Sequence, residues 1–339
     1  MSVVTPVYNG GKYLRECIES VRAQTYTNWR YTIVNNCSAD ESLEIAQHYA
    51  RLDPRICVHD NAAFLPLVDN HNCAISLIEP DSLYCKPLMA DDWLYPECLE
   101  KMVSCALTQP AVGLVCSFAV TGKNEVLLSG LPSLSSPTTF MSGRDACRIS
   151  LLEYRYFFGS PTTMLIRADL IRKRKPFYNP VNLHADEESC YDILRESDFA
   201  FVHQVLAFVR VHEQSQTAAA RSLSTVVSGR VYALVRYGRA YLSEEEFSQR
   251  YHERLREYYS KLAIAALELQ GARFWEFHRR MLALAGAPLS RLRLARTIVA
   301  QIARRLVSPV SFVRTVAKHL AAKRRGAADR EPHPRACDN

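Results

Sequence analysis

Apolar positions in the first half of the chain alternate between two periods. Ser2 to Val7 is a β-branched run, and after the turn Asn9-Gly10-Gly11 the residues Leu14, Cys17, Ile18 and Val21 recur at spacings of three and four, one face of a helix. The alternation repeats. Tyr31 to Val34 leads to a helix carrying Leu43, Ile45, Ala46 and Tyr49, Arg55 to His59 to a helix from Val68 to Ile78, and Leu83 to Leu88 to two adjacent aspartates. Strand and helix in this order predict an α/β fold with a mostly parallel, Rossmann-like sheet flanked by helices. Ligands on such sheets bind beyond the carboxyl ends of the strands.

Pro96 opens a helix through Leu107, Val112 to Val120 reads as a buried strand, and Ser129 to Thr139, rich in Ser, Pro and Leu, as a loop over it. A helix over Gly143 to Leu152, a strand near Thr162 to Ile166 and an apolar run ending at His212 follow. From Ser222 the period is helical as far as Lys323, broken at Gly286 to Pro288 and at Pro309. The last stretch, "RGAADREPHPRACDN", has the composition of a disordered tail. The expected organisation is an α/β domain over 1–221, an α-helical C-terminal extension over 222–325 and a disordered tail over 326–339.

The net charge of +7 is unevenly placed, because twelve Lys or Arg and no acid lie between Phe277 and Ala328 and the remainder is net acidic. Eleven cysteines, odd in number and nowhere in a C-x-x-C pair, read as reduced thiols rather than a disulfide frame or zinc site. The opening "MSVVTPVYNGG" has neither the basic start nor the apolar run of a secretory leader, and a cytoplasmic protein is expected.

Asp91 and Asp92 pose the chemical question. Two carboxylates about 4 Å apart repel by roughly 4 kcal/mol at an effective dielectric of about 20, so a pair ending an apolar run calls for a positive partner or for work as a helix cap before Pro96. Gly10-Gly11-Lys12 does not supply a phosphate loop: G-x-x-x-x-G-K-[ST] and G-x-G-x-x-G are both absent there, which disfavours a Walker ATPase or dinucleotide enzyme.

Four pieces in order, Thr5-Pro6-Val7-Tyr8-Asn9, "IVNNCSAD" (33–40), Asn70-His71-Asn72 and "ADDWLYPECLEKMV" (90–103), resemble the family 2 glycosyltransferases of the GT-A fold. The resemblance spans Ser2 to about His212. It implies an inverting transfer of a sugar from a nucleotide diphosphate, a UDP-sugar being the favoured donor, to a hydroxyl of a glycan or lipid-linked acceptor, in cell-surface polysaccharide or glycolipid synthesis. Thr5, Pro6 and Tyr8 would cup the base; Asn35 and Asn36 stand where the family usually carries an acid; Asp40 and Asn72 would reach the nucleotide. By the same resemblance Asp92 would bind Mg²⁺ or Mn²⁺, Asp91 would hold the ribose or complete the metal shell, and Met89 stands where many relatives add a further acid. Asp186, with Glu187 close behind, would be the base, and Arg210 and His212 would meet the diphosphate or metal. Simpler roles exist for several of these: Asp40 as a cap, and Asp186, Glu187 and Glu188 as acids favoured at a helix N-terminus.

In the tail, Leu292, Ala295, Val299, Ile302 and Leu306 recur at helical spacing with Arg293, Arg296, Arg304 and Arg305 on the flanks. Beyond Pro309, Phe312, Val313, Val316 and Leu320 accompany Lys318, Lys323, Arg324 and Arg325. An interfacial helix drawn to an anionic membrane surface has this pattern; so does a helix docked on its own domain with its arginines in water. No aromatics interleave these arginines, and no nucleic-acid partner is expected. Two further functions fit the same sequence: a membrane-associated scaffold that kept the fold and lost turnover, and a nucleotidyltransferase, whose basic Gly-rich first loop is missing.

Overall fold

The computed structural model describes residues 1–122, 127–129, 138–153, 157–182, 184–212 and 223–307. Two compact units divide it, Met1–Arg250 and Tyr251–Asn339. The first is built on one sheet of strands β1 (Ser2–Val7), β2 (Arg30–Asn35), β3 (Ile56–Asp60), β4 (Tyr84–Pro87), β5 (Trp93–Leu94), β6 (Val112–Gly122), β7 (Leu127–Ser129), β8 (Thr138–Met141), β9 (Met164–Arg167) and β10 (Asp198–Arg210). The order is β3-β2-β1-β4-β9-β6-β10-β5, with β7 on β6 and β8 on β10.

Strands β1 to β4 pair in parallel, as do β6 and β10. The sheet as a whole is mixed, because β9 runs antiparallel between β4 and β6, and β5, β7 and β8 join antiparallel. Only the first half repeats the strand–helix–strand crossover that forces parallel pairing. Helices α1 (Gly11–Arg22), α2 (Ser42–Leu52), α3 (Leu67–Ser76) and α4 (Cys98–Thr108) are those crossovers. The apolar stripe expected of α1 is the buried one: Leu14, Cys17, Ile18 and Val21 are fully covered, beside Val3, Tyr31 and Ile33 of the sheet.

Helix α5 (Gly143–Leu152) starts at a glycine for a steric reason, since a Cβ at Gly143 would lie 2.1 Å from the Ser197 carbonyl oxygen. The strand expected from Thr162 begins at Met164, and Pro161–Thr163 is a 3-10 turn. The ends of the expected loop 129–139 belong to β7 and β8; its middle lies outside the described residues. Short α6 (Ala168–Arg172) and α7 (Ala185–Ile193) precede β10, and α8 (Thr225–Tyr241) follows it. The hydroxyls of Tyr232 and Tyr237 on α8 donate to the buried Glu188 carboxylate of α7.

The rest of the helical stretch comprises α9 (Glu244–Leu267), α10 (Ala272–Leu284) and α11 (Arg291–Val307). The break expected at 286–288 is there, with Gly286 at φ +63° ending α10. Within the second unit the Tyr258 hydroxyl and His278 Nδ1 meet at 2.7 Å, both fully buried. Among the described residues no helix is long and apolar enough to cross a membrane. The second basic pattern beyond Pro309 and the tail from 326 lie outside the described residues.

Candidate active site

The strand-end loops after β1 and β2 are laced together. Asn9, at φ +49°, donates its backbone N–H to Ser38 Oγ at 3.0 Å and accepts the Ala39 N–H on its own Oδ1 at 2.8 Å. Gly11 donates to Asp40 Oδ2 at 2.9 Å, and Ser42 donates to Asp40 Oδ1 from both its N–H and hydroxyl. Burial works against that carboxylate, but the bonds from Ser42 and Gly11 together hold its pKa below the usual range. A side chain at Gly11 would collide with Glu41 Cγ at 2.7 Å. Asp40 therefore fastens the two loops.

Thr5 and Pro6 are buried within β1, and Thr5 Oγ1 accepts the Tyr31 hydroxyl at 2.9 Å. They form the wall beneath the loop, while Tyr8 emerges from it with 52% of its surface exposed. Facing it is Phe64, 57% exposed, its ring centroid 5.0 Å from that of Tyr8 at 63°. A buried asparagine sets the Phe64 loop: Asn36 donates from Nδ2 to the Leu65 carbonyl (2.8 Å) and accepts the Leu65 N–H on Oδ1 (2.9 Å). Asn61 Nδ2 then donates to both Asn36 Oδ1 and Asn70 Oδ1. Asn35, in register with Asp60 on β3, donates Nδ2 to Asp60 Oδ1 at 2.7 Å. The acid missing from the second turn thus stands on the neighbouring strand end.

The two aspartates part company. Asp92 is 3% exposed; its Oδ1 accepts the Arg210 N–H at 2.8 Å and its Oδ2 the Thr162 hydroxyl at 2.5 Å. Burial, and after it the charge of Asp91, push its carboxyl up to about 8 against those two bonds. Asp91 is the more open of the pair, and its Oδ2 lies 3.0 Å from His212 Nε2, with side-chain exposures of 30% and 22%. Arg210 is spoken for on several sides: Nε donates to the Asp91 carbonyl at 2.9 Å, the guanidinium pairs with Glu16, and it lies 4.5 Å from the Tyr13 ring centre. Below Thr162 is Lys86, fully buried, its Nζ donating to the Thr162 and Met164 carbonyls. Burial lowers its pKa, and among the described residues no carboxylate pairs with it.

The Asp91 carboxylate and the His212 imidazole, 3.0 Å apart and half-buried, offer one oxygen and one nitrogen donor to a divalent cation that also takes phosphate oxygens. No three His, Cys, Asp or Glu side chains form a cage among the described residues. Such a cation would be held by Asp91 and His212 and would fill its shell from the ligand it serves.

The acidic run on α7 divides three ways. Glu188 is buried and accepts from Asn182 (2.7 Å), Asn179 and Tyr232, which ties the surrounding segments together. Glu187 accepts the Tyr191 hydroxyl at 3.4 Å. Asp186 receives no side-chain hydrogen bond among the described residues, and burial pushes its carboxyl up against the opposing influence of His184. Its neighbour Cys190 donates to the Asp186 carbonyl and reaches Met164 Sδ at 3.9 Å, so this subsite and the Asp92 subsite share the start of β9. Asn72 does not face either: both its amide groups are used on the backbone of Tyr178, at 2.7 and 2.8 Å.

Sequence reasoning passed over Asp60, Phe64, Lys86, Thr162 and Tyr178. Asp60 lies one residue past the strand expected to end at His59, and Phe64 is a lone aromatic amid turn residues; both signals were available. Thr162 meets Asp92 across 70 residues, and nothing local announces that.

The family model for glycosyl transferase family 2 matches residues 2–174. An uncharacterised glycosyltransferase of Rickettsia typhi is 28% identical over 226 residues, 65% of this chain and 66% of that protein, just under two thirds of its length. Among solved structures, residues 1–349 of TarS from S. aureus in complex with UDP-GlcNAc align over 88% of each chain at TM-score 0.62 and 15% identity. The mannosyltransferase PcManGT from Pyrobaculum calidifontis, in complex with GDP-Man and Mn²⁺, aligns over 97% of this chain and 87% of its own at TM-score 0.53 and 16% identity.

Proposed function

The chain belongs to glycosyl transferase family 2 and has the GT-A fold, and from that membership we propose that it moves a sugar from a nucleotide diphosphate to an acceptor hydroxyl with inversion at the anomeric carbon. The observation that carries this reading is the Asp91–His212 pair, brought to 3.0 Å from 121 residues apart at the rim of the sheet. A half-buried pair of metal-type donors, on the same domain as two exposed aromatics at a strand end, suits a diphosphate joined to a base.

In this mechanism the exposed rings of Tyr8 and Phe64, packed edge-on, offer an aromatic surface for the base to stack on, and Asp60, oriented by Asn35, accepts an N–H from its edge, which favours a UDP-sugar. Asp91 and His212 would hold Mg²⁺ or Mn²⁺, which would supply neutralising charge to the leaving diphosphate. Asp92 stays beneath them, fixed by Thr162 and the Arg210 N–H. Asp186 accepts the proton of the acceptor hydroxyl; burial, by raising its pKa, makes it a stronger base than a solvated carboxylate. The scaffold's contribution is to hold acceptor oxygen and anomeric carbon at about 3 to 3.5 Å.

The acceptor is proposed to be a glycan or lipid-linked saccharide at the cytoplasmic face of a membrane. Two features support that setting: the ten cysteines among the described residues are free thiols, as in a reducing compartment, and α11 leaves Leu292, Val299 and Ile302 exposed beside Arg291, Arg296 and Arg304. The test is a thermal-shift panel of nucleotides and nucleotide sugars with and without Mn²⁺, followed by nucleoside diphosphate release. Stabilisation by one donor that requires Mn²⁺ and is lost in Asp91→Asn is expected; a panel with no Mn²⁺-dependent stabilisation contradicts the proposal.

A further inference from the structure

Tyr13, half-buried in the first turn of α1, meets with one ring the two residues of the β10 end that reach Asp91. The guanidinium of Arg210, the last residue of β10, lies 4.5 Å from the ring centre, and the imidazole of His212, two residues on, lies 5.5 Å from it at a tilt of 38°. Both partners are committed to the acidic loop. Arg210 donates from Nε to the Asp91 carbonyl at 2.9 Å and from its backbone N–H to Asp92 Oδ1 at 2.8 Å, while His212 Nε2 lies 3.0 Å from Asp91 Oδ2. The guanidinium is held from two further sides, by the Phe208 ring at 5.3 Å and by Glu16 on α1. With those contacts made, Arg210 braces the Asp91–Asp92 loop against α1. The mount of the ring is itself tied down: Gly10 and Gly11, where α1 begins, donate their N–H groups to Ser42 Oγ and Asp40 Oδ2, both at 2.9 Å.

We infer that Tyr13 is the positioning residue of the Asp91–His212 pair, backing the imidazole directly and holding Asp91 through Arg210. The inference rests on that pair being the place where the divalent cation is held. Two protein donors from positions 121 residues apart bind a cation well only if both already stand where it needs them, since ordering them afterwards is subtracted from affinity. Tyr13 removes that cost at both donors. The ring is what the role requires: its face attracts a guanidinium through the aromatic quadrupole, and an aliphatic side chain has no such attraction. Tyr13 itself touches neither the cation nor the sugar.

The test measures Mn²⁺ binding to the full chain from the electron paramagnetic resonance signal of the free ion, with saturating UDP or GDP, whichever binds the wild type more tightly. In Tyr13→Leu the Mn²⁺ dissociation constant should rise about three- to thirtyfold, the scale of one cation–π contact, while nucleotide affinity in chelator stays at the wild-type value. Tyr13→Phe keeps the ring and should bind Mn²⁺ normally. Arg210→Met keeps the backbone N–H to Asp92 but takes the cation from the ring; it should weaken Mn²⁺ binding too, and adding Tyr13→Leu to it should cost less than Tyr13→Leu alone. Wild-type Mn²⁺ affinity in Tyr13→Leu overturns the inference, as does an equal loss of nucleotide affinity in chelator, or full additivity with Arg210→Met. Asp91→Asn run alongside separates the failures: if it binds Mn²⁺ as the wild type does, the metal pair itself is wrong, whereas its loss of Mn²⁺ beside an unaffected Tyr13→Leu defeats only the role of Tyr13.

Discussion

The Thr162 hydroxyl donates to Asp92 Oδ2 at 2.5 Å while its oxygen accepts the Met89 N–H at 3.2 Å, so one side chain holds both the start of the acidic loop and its second carboxylate. Lys86, donating to the Thr162 and Met164 carbonyls from the interior, fixes the turn that carries that hydroxyl. Thr162→Val keeps the shape and removes the donor, leaving a buried carboxylate with the Arg210 N–H alone. A destabilisation of about 1 to 3 kcal/mol is expected, with kcat for diphosphate release down at least tenfold and both restored by Thr162→Ser. Denaturant melts and steady-state rates check this; a Val variant equal to wild type in both would separate Thr162 from the function of Asp92.

Asp92 itself should cost the metal-free protein stability at neutral pH. Its folded pKa, pushed to about 8, lies above the ordinary value near 3.9, so the folded state binds the proton more tightly than the unfolded state does. The stabilising contribution is complete below about pH 3.9 and is lost as the pH rises through the folded pKa. Asp92→Asn mimics the protonated form, and the Thr162 hydroxyl can turn to accept from the new amide. The variant should melt higher than wild type at pH 8 to 9 in chelator, the gap closing toward pH 4, while diphosphate release is abolished. Melting temperature against pH decides it, and an Asn variant less stable than wild type across the whole range would refute the burial account.

Base recognition should reside in Phe64 and Asp60 as much as in Tyr8. Phe64→Ala removes one of two exposed rings 5.0 Å apart, and Asp60→Asn removes the charge held beside Asn35. Each should weaken nucleotide binding by about tenfold or more, the scale of one stacking or one charge-assisted contact. Phe64→Tyr should bind normally. Calorimetric titration with UDP and GDP reads the effect, and unchanged affinity in Asp60→Asn would move base recognition elsewhere.

The strand-helix alternation made the parallel half of the sheet legible because each crossover must bury one face against it, and the same period exposed α1 and α5 to within a residue or two. The antiparallel insertion of β9 was not legible: Met164 to Arg167 is an apolar run with no local mark of direction, and its neighbours come from β4 and β6, far off in sequence. Site residues divide on the same ground. Tyr8, Asp91, Asp92 and His212 sit in motifs read locally, whereas the carbonyl partners of Lys86 lie 76 and 78 residues away, and nothing beside it in sequence marks them. Asn36 in its turn and Asn72 on α3 were legible as polar positions but not as backbone clamps, since an amide's partners depend on which segment folds over it.

The exposed stripe on α11 leads to a prediction about lipid. Leu292, Val299 and Ile302 are 62%, 65% and 42% exposed, Ala295 between them is exposed too, and Arg291, Arg296 and Arg304 project in the open beside them. Exposed apolar residues on one face cost free energy in water and gain it at an acyl boundary. Basic residues near an anionic surface add about 1 kcal/mol each. Sedimentation with phosphatidylglycerol-containing vesicles should therefore capture the full chain at low salt and release much of it as salt rises, the Debye length falling from about 10 Å at 0.1 M to about 3 Å at 1 M. Replacing Arg291, Arg296 and Arg304 by Glu should abolish capture while Mn²⁺-dependent diphosphate release in solution persists. Replacing Leu292 and Val299 by Ser should weaken capture at every salt concentration, because the apolar contribution is not screened. Equal capture by neutral phosphatidylcholine vesicles would show that charge does not direct the helix to the surface.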